Sequence, residues 1–204
     1  MYKLYEYPPS SNSYKVKLLL TQLGQPFEAI PVDILKGESR TSEFYAKNPN
    51  GRIPVLELDD GRTLSESSAI LWYLAEGTDF LPTDEWSRAK VLQWLAFEQH
   101  NLEPTVAEAR FWLKYAGKSE EELGERLKIW RKAGAAALAL LDEALETTEF
   151  LVNDQYTIAD IGLFAYTHVA EDGGFSLLHH ANILSWIERV RSRSDFVPMV
   201  TRWP

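Results

Sequence analysis

The apolar positions in the first third of the chain change period several times. Tyr2 to Tyr7 is short and aromatic, which suits a strand, and Pro8-Pro9 stops it. Ser10 to Ser13 is a polar turn able to cap a helix. From Tyr14 the spacing is helical: Val16, Leu19, Leu20 and Leu23 fall at i, i+3, i+4 and i+7, and Gly24 stands at the C-terminal cap. The helix is expected to start near Ser13. Phe27 to Val32 reads as a second strand, Asp33 to Ser39 as a loop and Ser42 to Lys47 as a short helix. Asn48-Pro49-Asn50-Gly51 is dense in turn formers, and Pro54 opens a strand over Val55 to Leu58. Asp59-Asp60-Gly61 signals a hairpin with a return strand over Arg62 to Leu64. Ser65 to Ser68 then leads into a helix carrying Ile70, Leu71 and Leu74.

Beyond Leu81-Pro82 strand-like alternation disappears. Trp86 to Tyr115 is helical with an interruption at Pro104, and Glu120 to Leu145 is helical and alanine-rich. Two more helices follow, Thr157 to Ala170 and Asn182 to Arg193. The pattern predicts an α/β domain over residues 1–80 and an all-α domain over 86–204, with Gly77 to Glu85 as linker. Thr157 and Asp160 are spaced for a capping box, in which each side chain satisfies a backbone N–H of the other, and Tyr156 and Ile161 hold the staple positions.

Composition narrows the chemistry. The 204 residues include no cysteine, which excludes disulfides, thiolate metal sites and a cysteine nucleophile. A formal net charge of −9 argues against a general nucleic-acid binder. No apolar run reaches the roughly 18 residues of a membrane span, and the first residues lack a signal peptide's basic-then-apolar pattern. A cytoplasmic protein without membrane or nucleic-acid partners is the expectation. Gln99, His100 and Asn101 have no metal-ligand spacing, so no metal is assigned, and His168 reads as a structural or surface residue.

Four segments, in this order and spacing, resemble the cytosolic glutathione transferases over nearly the whole chain. They are Pro9-Ser10-Ser11-Asn12-Ser13-Tyr14-Lys15-Val16; Asn48 to Leu56; Leu64-Ser65-Glu66-Ser67-Ser68-Ala69-Ile70 with Tyr73-Leu74; and Tyr156 to Ile161. The resemblance implies a thioredoxin-like domain followed by a helical one. It implies a homodimer pairing the first domain of one subunit with the helical domain of the other. Within the family the first turn is similar to the serine-type groups, theta-, delta- and zeta-like, and to bacterial forms with Ser or Thr and Asn at this turn. The tyrosine of other groups lies in the preceding strand, where Tyr5 and Tyr7 stand.

Glutathione, as co-substrate, brings the thiol this chain lacks. A thiol of pKa about 8.5 is mostly protonated at pH 7, and the thiolate is the nucleophile. Donors aimed at sulfur, and a helix N-terminus, favour the charged form. The resemblance places the catalytic hydroxyl on Ser10 and the assisting amide on Asn12, with Ser11 as the nearest rival; read from spacing alone, the same residues are a helix cap. It implies a cis Ile53-Pro54 bond that presents the Ile53 backbone to the cysteinyl part. It implies Glu66 for the γ-glutamyl ammonium and Ser67, at a helix start, for its carboxylate. The glycyl carboxylate needs a cation or amide: Lys36, with Arg40 and Arg52 as alternatives. Phe111 and Tyr115, near Trp112, are candidates for an apolar second-substrate pocket, although such spacing is also that of a core.

The expected activity is conjugation of glutathione to an electrophile, in a detoxifying role. Alternatives are reduction of disulfides or peroxides, a zeta-like isomerisation (weakened because Asn12 stands where that group has cysteine), and a non-catalytic binding protein of the same fold.

Overall fold

A computed structural model describes residues 1–200. It divides into two compact units, residues 1–78 with the tail from Ser194, and residues 79–193.

In the first unit, β1 (Tyr2–Glu6) is central, and the sheet order is β2-β1-β3-β4. β2 (Phe27–Pro31) runs parallel to β1, with Tyr2 opposite Phe27 and Glu6 opposite Pro31. β3 (Val55–Glu57) is antiparallel to β1, placing Val55 opposite Tyr5, and β4 (Thr63–Ser65) is antiparallel to β3. The Asp59-Asp60-Gly61 hairpin closes through Leu58 N–H to the Arg62 carbonyl at 2.8 Å. This register fixes the site. The C-terminal ends of β1, β2 and β4 and the start of β3 all lie at one end of the sheet. Ser10 to Asn12, the loop after β2, Ile53-Pro54 and Glu66-Ser67 therefore converge there.

The helix after β1, α1 (Ser11–Gln22), begins two residues earlier than the apolar pattern predicts. Its first turn is polar, so periodicity is silent there, and the cap defines the start instead. α1 and α3 (Ser67–Ala75) pack together; Leu18, Leu19, Leu20, Ile70 and Leu71 are fully buried. Fully burying a leucine contributes about 1.5–3 kcal/mol. Around the site Val32, Phe44 and Val55 form a smaller core with Tyr5 and Ile53 packed on it. Phe44 comes from α2 (Ser42–Lys47), which follows a 3₁₀ turn over Glu38–Arg40. Gly51 holds φ +63, and a Cβ there would sit 2.8 Å from the Tyr45 ring and 2.9 Å from the Ser39 carbonyl, so the Asn-Gly turn admits no larger residue without rearrangement.

The tail from Ser194 packs on this unit, whereas the sequence division over 86–204 assigns it to the helices. The Tyr14 hydroxyl donates to the Val197 carbonyl at 2.7 Å, and Gln22 Nε2 donates to Asp195 at 3.3 Å. The segment is too short to show a hydrophobic period.

The second unit is helical. α4 (Glu85–Phe97) continues as a widened i→i+5 helix over Glu98–Ala107, returns to α geometry in α5 (Glu108–Arg110), and widens again over Phe111–Tyr115. Pro104 lies in the first widened stretch. Its missing N–H and its ring oppose a regular i→i+4 ladder, so the expected interruption is a widening and not a break. α6 (Glu120–Ala144) packs on this stretch. A Cβ on Gly134 would come 2.5 Å from the Phe175 ring and 3.1 Å from Thr105 Oγ1. The glycine and its alanine neighbours permit that close approach. α7 (Ile158–Thr167) opens on the expected capping box: Asp160 accepts from Thr157 N–H at 2.9 Å, and the Thr157 hydroxyl accepts from Ala159 N–H at 3.2 Å. Asp160 also receives Leu151 N–H and Trp186 Nε1–H, the latter from α8 (Ala181–Arg191). A second capping box, Ser119 with Glu122, opens α6; its S-x-x-E spelling was available in the sequence. Among the described residues no helix is long and apolar enough to cross a membrane.

Candidate active site

Ser10 is the N-cap of α1. Its Oγ accepts from Ser13 N–H at 3.4 Å, and its own N–H donates to the Tyr7 carbonyl at 2.8 Å. Capping uses an oxygen lone pair, so the hydroxyl proton is left for another acceptor. Capping and donation to a ligand are therefore compatible at Ser10, which is only partly buried. Ser11 differs. It is 1% exposed and directs its hydroxyl at Met199 Sδ, 3.9 Å away. Ser13 is buried and accepts from Tyr7 N–H at 3.3 Å, which ties the strand end to the helix start.

Asn12 and Ser67, 55 residues apart, meet here: the Ser67 hydroxyl donates to Asn12 Oδ1 at 3.1 Å. A third side chain joins them. Lys15 is fully buried, and its Nζ donates to the same Asn12 Oδ1 at 2.8 Å and to Ser67 Oγ at 3.5 Å. Sequence reasoning passed over Lys15, which belongs to the first quoted segment but was read there only as pattern. The available signal was a lysine on the same helix face as Val16, Leu19 and Leu20.

Glu66 precedes α3 with φ 69 and ψ 111, a conformation rare for a residue with a Cβ, and it is exposed. This backbone leaves the α3 N-terminus open with Ser67 in its first turn. The Ile53-Pro54 bond is cis. Asn48 Nδ2 donates to the Arg52 carbonyl at 2.7 Å and holds the approach to that bond.

The three candidate loop cations separate. Lys36 is exposed and paired with Asp33 at 3.1 Å. Arg40 donates to the Asn50 carbonyl at 3.0 Å and so braces the turn before Gly51. Arg52 is exposed. Of the two tyrosines, Tyr5 donates its hydroxyl to Glu57 at 2.8 Å. Lys47, Tyr5 and Lys3 together hold that carboxyl down at about 2. Tyr7 is buried; burial, then the charge of Asp33, pushes its phenol upward, so it stays protonated.

In the helical unit Phe111 is partly buried, edge-on to Trp112 with ring centroids 5.6 Å apart. The Tyr115 hydroxyl accepts from buried Arg110 at 2.5 Å, and the guanidinium lies 4.9 Å from its ring centre. Arg110 is in turn paired with Asp172 at 3.0 Å. Tyr115 is thus fixed by a charged network as well as by packing. His168 is stacked on Phe164, and burial depresses its pKa to about 4. That is a structural role. No group of three potential metal ligands occurs among the described residues.

Comparison with known proteins follows this geometry. Residues 1–76 match the glutathione S-transferase N-terminal domain model, and residues 105–194 match the C-terminal domain model. A crystal structure of glutathione S-transferase from Pseudomonas fluorescens Pf-5 superposes with a TM-score of 0.95, at 49% identity over 98% of both chains. Glutathione S-transferase 3 of Zea mays is 31% identical over 99% of this chain and 94% of its own length. The disulfide-bond oxidoreductase YfcG of Escherichia coli strain K12 is 31% identical over 92% of this chain and 89% of its own. The sheet end, the cis proline and the capped α7 therefore sit in a two-part plan shared along nearly the whole sequence, and the chain belongs to the glutathione S-transferase family.

Proposed function

We propose that this protein binds glutathione at the C-terminal end of its sheet and stabilises the thiolate for conjugation to an electrophile. The supporting observation is the donor set at the α1 N-terminus. Ser10 keeps a hydroxyl proton to give, and Asn12 has its amide oxygen occupied by Lys15 and Ser67. An amide whose oxygen is occupied by donors offers its NH2 elsewhere. Hydroxyl and amide donors beside the positive end of a 12-residue helix favour a thiolate over a thiol. The thiol proton passes to solvent, the sulfur lone pair forms the new bond to the electrophilic carbon, and with an aryl halide the carbon–halogen bond breaks and the halide leaves with its electron pair. Ser67, at the α3 N-terminus, takes the γ-glutamyl carboxylate, and Glu66 its ammonium. The Ile53 backbone takes the cysteinyl amide. Lys36 or Arg52, both at the surface, takes the glycyl carboxylate. Phe111 and Tyr115 offer aromatic surface for an apolar second substrate.

The local cation also answers the charge problem. The chain carries −9 overall, yet its site places a buried ammonium beside Asn12 and Ser67. The field there is set by nearby groups more than by the distant net charge.

A reductive reading has one observation in its favour, the similarity to a disulfide-bond oxidoreductase. In that chemistry the thiolate attacks a disulfide sulfur and expels the other sulfur as thiolate. A second glutathione then resolves the mixed disulfide, so no enzyme cysteine is required. A panel of aryl halide, disulfide, peroxide and isomerisable dienone separates these chemistries. Turnover of the aryl halide as the preferred substrate supports conjugation. Preferred turnover of the disulfide, with none of the aryl halide, overturns it in favour of reduction.

A further inference from the structure

We propose that Lys15 is a positioning residue: it locks the side-chain amide of Asn12 so that its NH2 end, and not its oxygen, faces the bound thiol. The proposal rests on the glutathione-activating reading above and deepens it. The two ends of an asparagine amide have nearly the same shape, so only their partners decide which way the group is turned. An ammonium has three donors and no acceptor. At 2.8 Å from Asn12, Lys15 Nζ is compatible only with the amide oxygen, and Nδ2 is left pointing away from it. Turning the amide over would set two donor groups against each other next to a fully buried ammonium.

Ser67 shows why the lysine is needed. Its hydroxyl proton is given to Asn12 Oδ1 at 3.1 Å, so Ser67 helps to hold the amide. A γ-glutamyl carboxylate competes for that proton. Once Ser67 turns to the ligand, Lys15 alone keeps the amide oriented. Loading of the γ-glutamyl position thus leaves the thiol donor dependent on Lys15. Lys15 touches neither sulfur nor electrophile; it acts through Asn12.

The test is a pH titration of the thiolate absorbance of glutathione bound to wild type, Lys15→Met, Lys15→Arg, Asn12→Ala and the Lys15→Met/Asn12→Ala double variant. Each is checked for folding by circular dichroism. Lys15→Met is expected to shift the thiolate titration upward by about one pH unit, as Asn12→Ala does, and to lower kcat/KM about tenfold at pH 6.5. Most of that loss should return at pH 9, where glutathione ionises unaided. Lys15→Arg, which keeps a donor-only group, should recover most of the wild-type profile. In the Asn12→Ala background the lysine substitution should add little, since its effect runs through the amide. A folded Lys15→Met with the wild-type pH profile, or one whose shift adds fully to that of Asn12→Ala, overturns the proposal. Wild type that forms no bound thiolate overturns the functional reading itself. A wild-type measurement covers the case in which Lys15→Met does not fold. The Asn12 side-chain NH2 resonance, identified by its loss in Asn12→Ala, should move strongly on adding glutathione and much less on adding S-methylglutathione. Equal response to both overturns the orientation.

Discussion

The roles proposed for Ser10, Asn12 and Glu66 predict separable effects. Asn12→Ala should slow conjugation of a model aryl halide at least about tenfold at pH 6.5, and Ser10→Ala by a comparable factor, with smaller losses above pH 9; a preorganised donor to a developing or full anion is worth that much or more. Steady-state kinetics across pH checks this. Glu66 has a different signature. Its φ of 69 costs of order 1 kcal/mol or more for a residue with a Cβ. Glu66→Gly should therefore raise stability to denaturant by up to about 1 kcal/mol while weakening glutathione binding, and it should leave the pH of thiolate formation in place. A substitution that stabilises the fold and loosens the ligand identifies strain maintained for the site. The sequence shows the identity of these residues and not their geometry. Ser10, Asn12, Ile53 and Ser67 could be picked out because their motifs are local. Lys15 was marked only by its place on the apolar face of α1, and its contact with Ser67, 52 residues away, left no local signal.

Among the elements, α7 is the one most dependent on a single side chain. Asp160 is fully buried and receives N–H groups from Thr157, Leu151 and Trp186. Asp160→Ala leaves those buried donors without their acceptor and should cost at least about 3 kcal/mol, read by chemical denaturation. Its titration has a defined sign. Burial raises its folded pKa to about 6, above the unfolded value, despite the donors that oppose the shift. This contribution to stability is complete below about pH 4 and is lost as pH rises through 6. His168, at the opposite end of α7, does the reverse. Burial lowers its pKa to about 4, so its contribution is complete above the unfolded value near 6.5 and is lost as pH falls through 4. The two slopes oppose each other, and the helical unit should be nearly flat in stability between pH 4 and 6.5. His168→Phe keeps the stack on Phe164 and should expose the Asp160 slope as a fall with rising pH. Asp160→Asn should expose the opposite slope. The capping box was legible from spacing. The widened turns around Pro104 were not, because Glu98 to Ala107 holds few apolar residues from which a period could be read.

For the molecule as a whole, the order of elements was legible: strand, helix and strand, then a hairpin and helix, then helices alone. That order selects the two-part plan because turn chemistry places the α/β elements, from the Asn48-Pro49-Asn50-Gly51 turn to the Asp59-Asp60-Gly61 hairpin, whereas the cis Ile53-Pro54 bond was expected from the family resemblance alone. The affiliation of the tail was not legible. Val197 and Asp195 hydrogen-bond to Tyr14 and Gln22 of α1, contacts across more than 170 residues that no local pattern announces. A chain ending at Arg193 should keep its helical unit and lose protection in α1; hydrogen exchange resolved along the sequence should show faster exchange from Ser11 to Gln22 and unchanged exchange in α7. The absence of cysteine frames the chemistry at this scale. In the proposed function, a chain without a thiol contributes hydrogen bonds, a helix end and a shaped surface, and glutathione supplies the sulfur.

The most direct measurement is the ultraviolet difference spectrum of glutathione mixed with the protein at pH 6.5, in wild type and Asn12→Ala. The account predicts a thiolate band in the wild type that is much reduced in Asn12→Ala and restored in both by raising the pH. Binding of glutathione to the wild type without a thiolate band, or a band of equal strength in the two proteins, would contradict it.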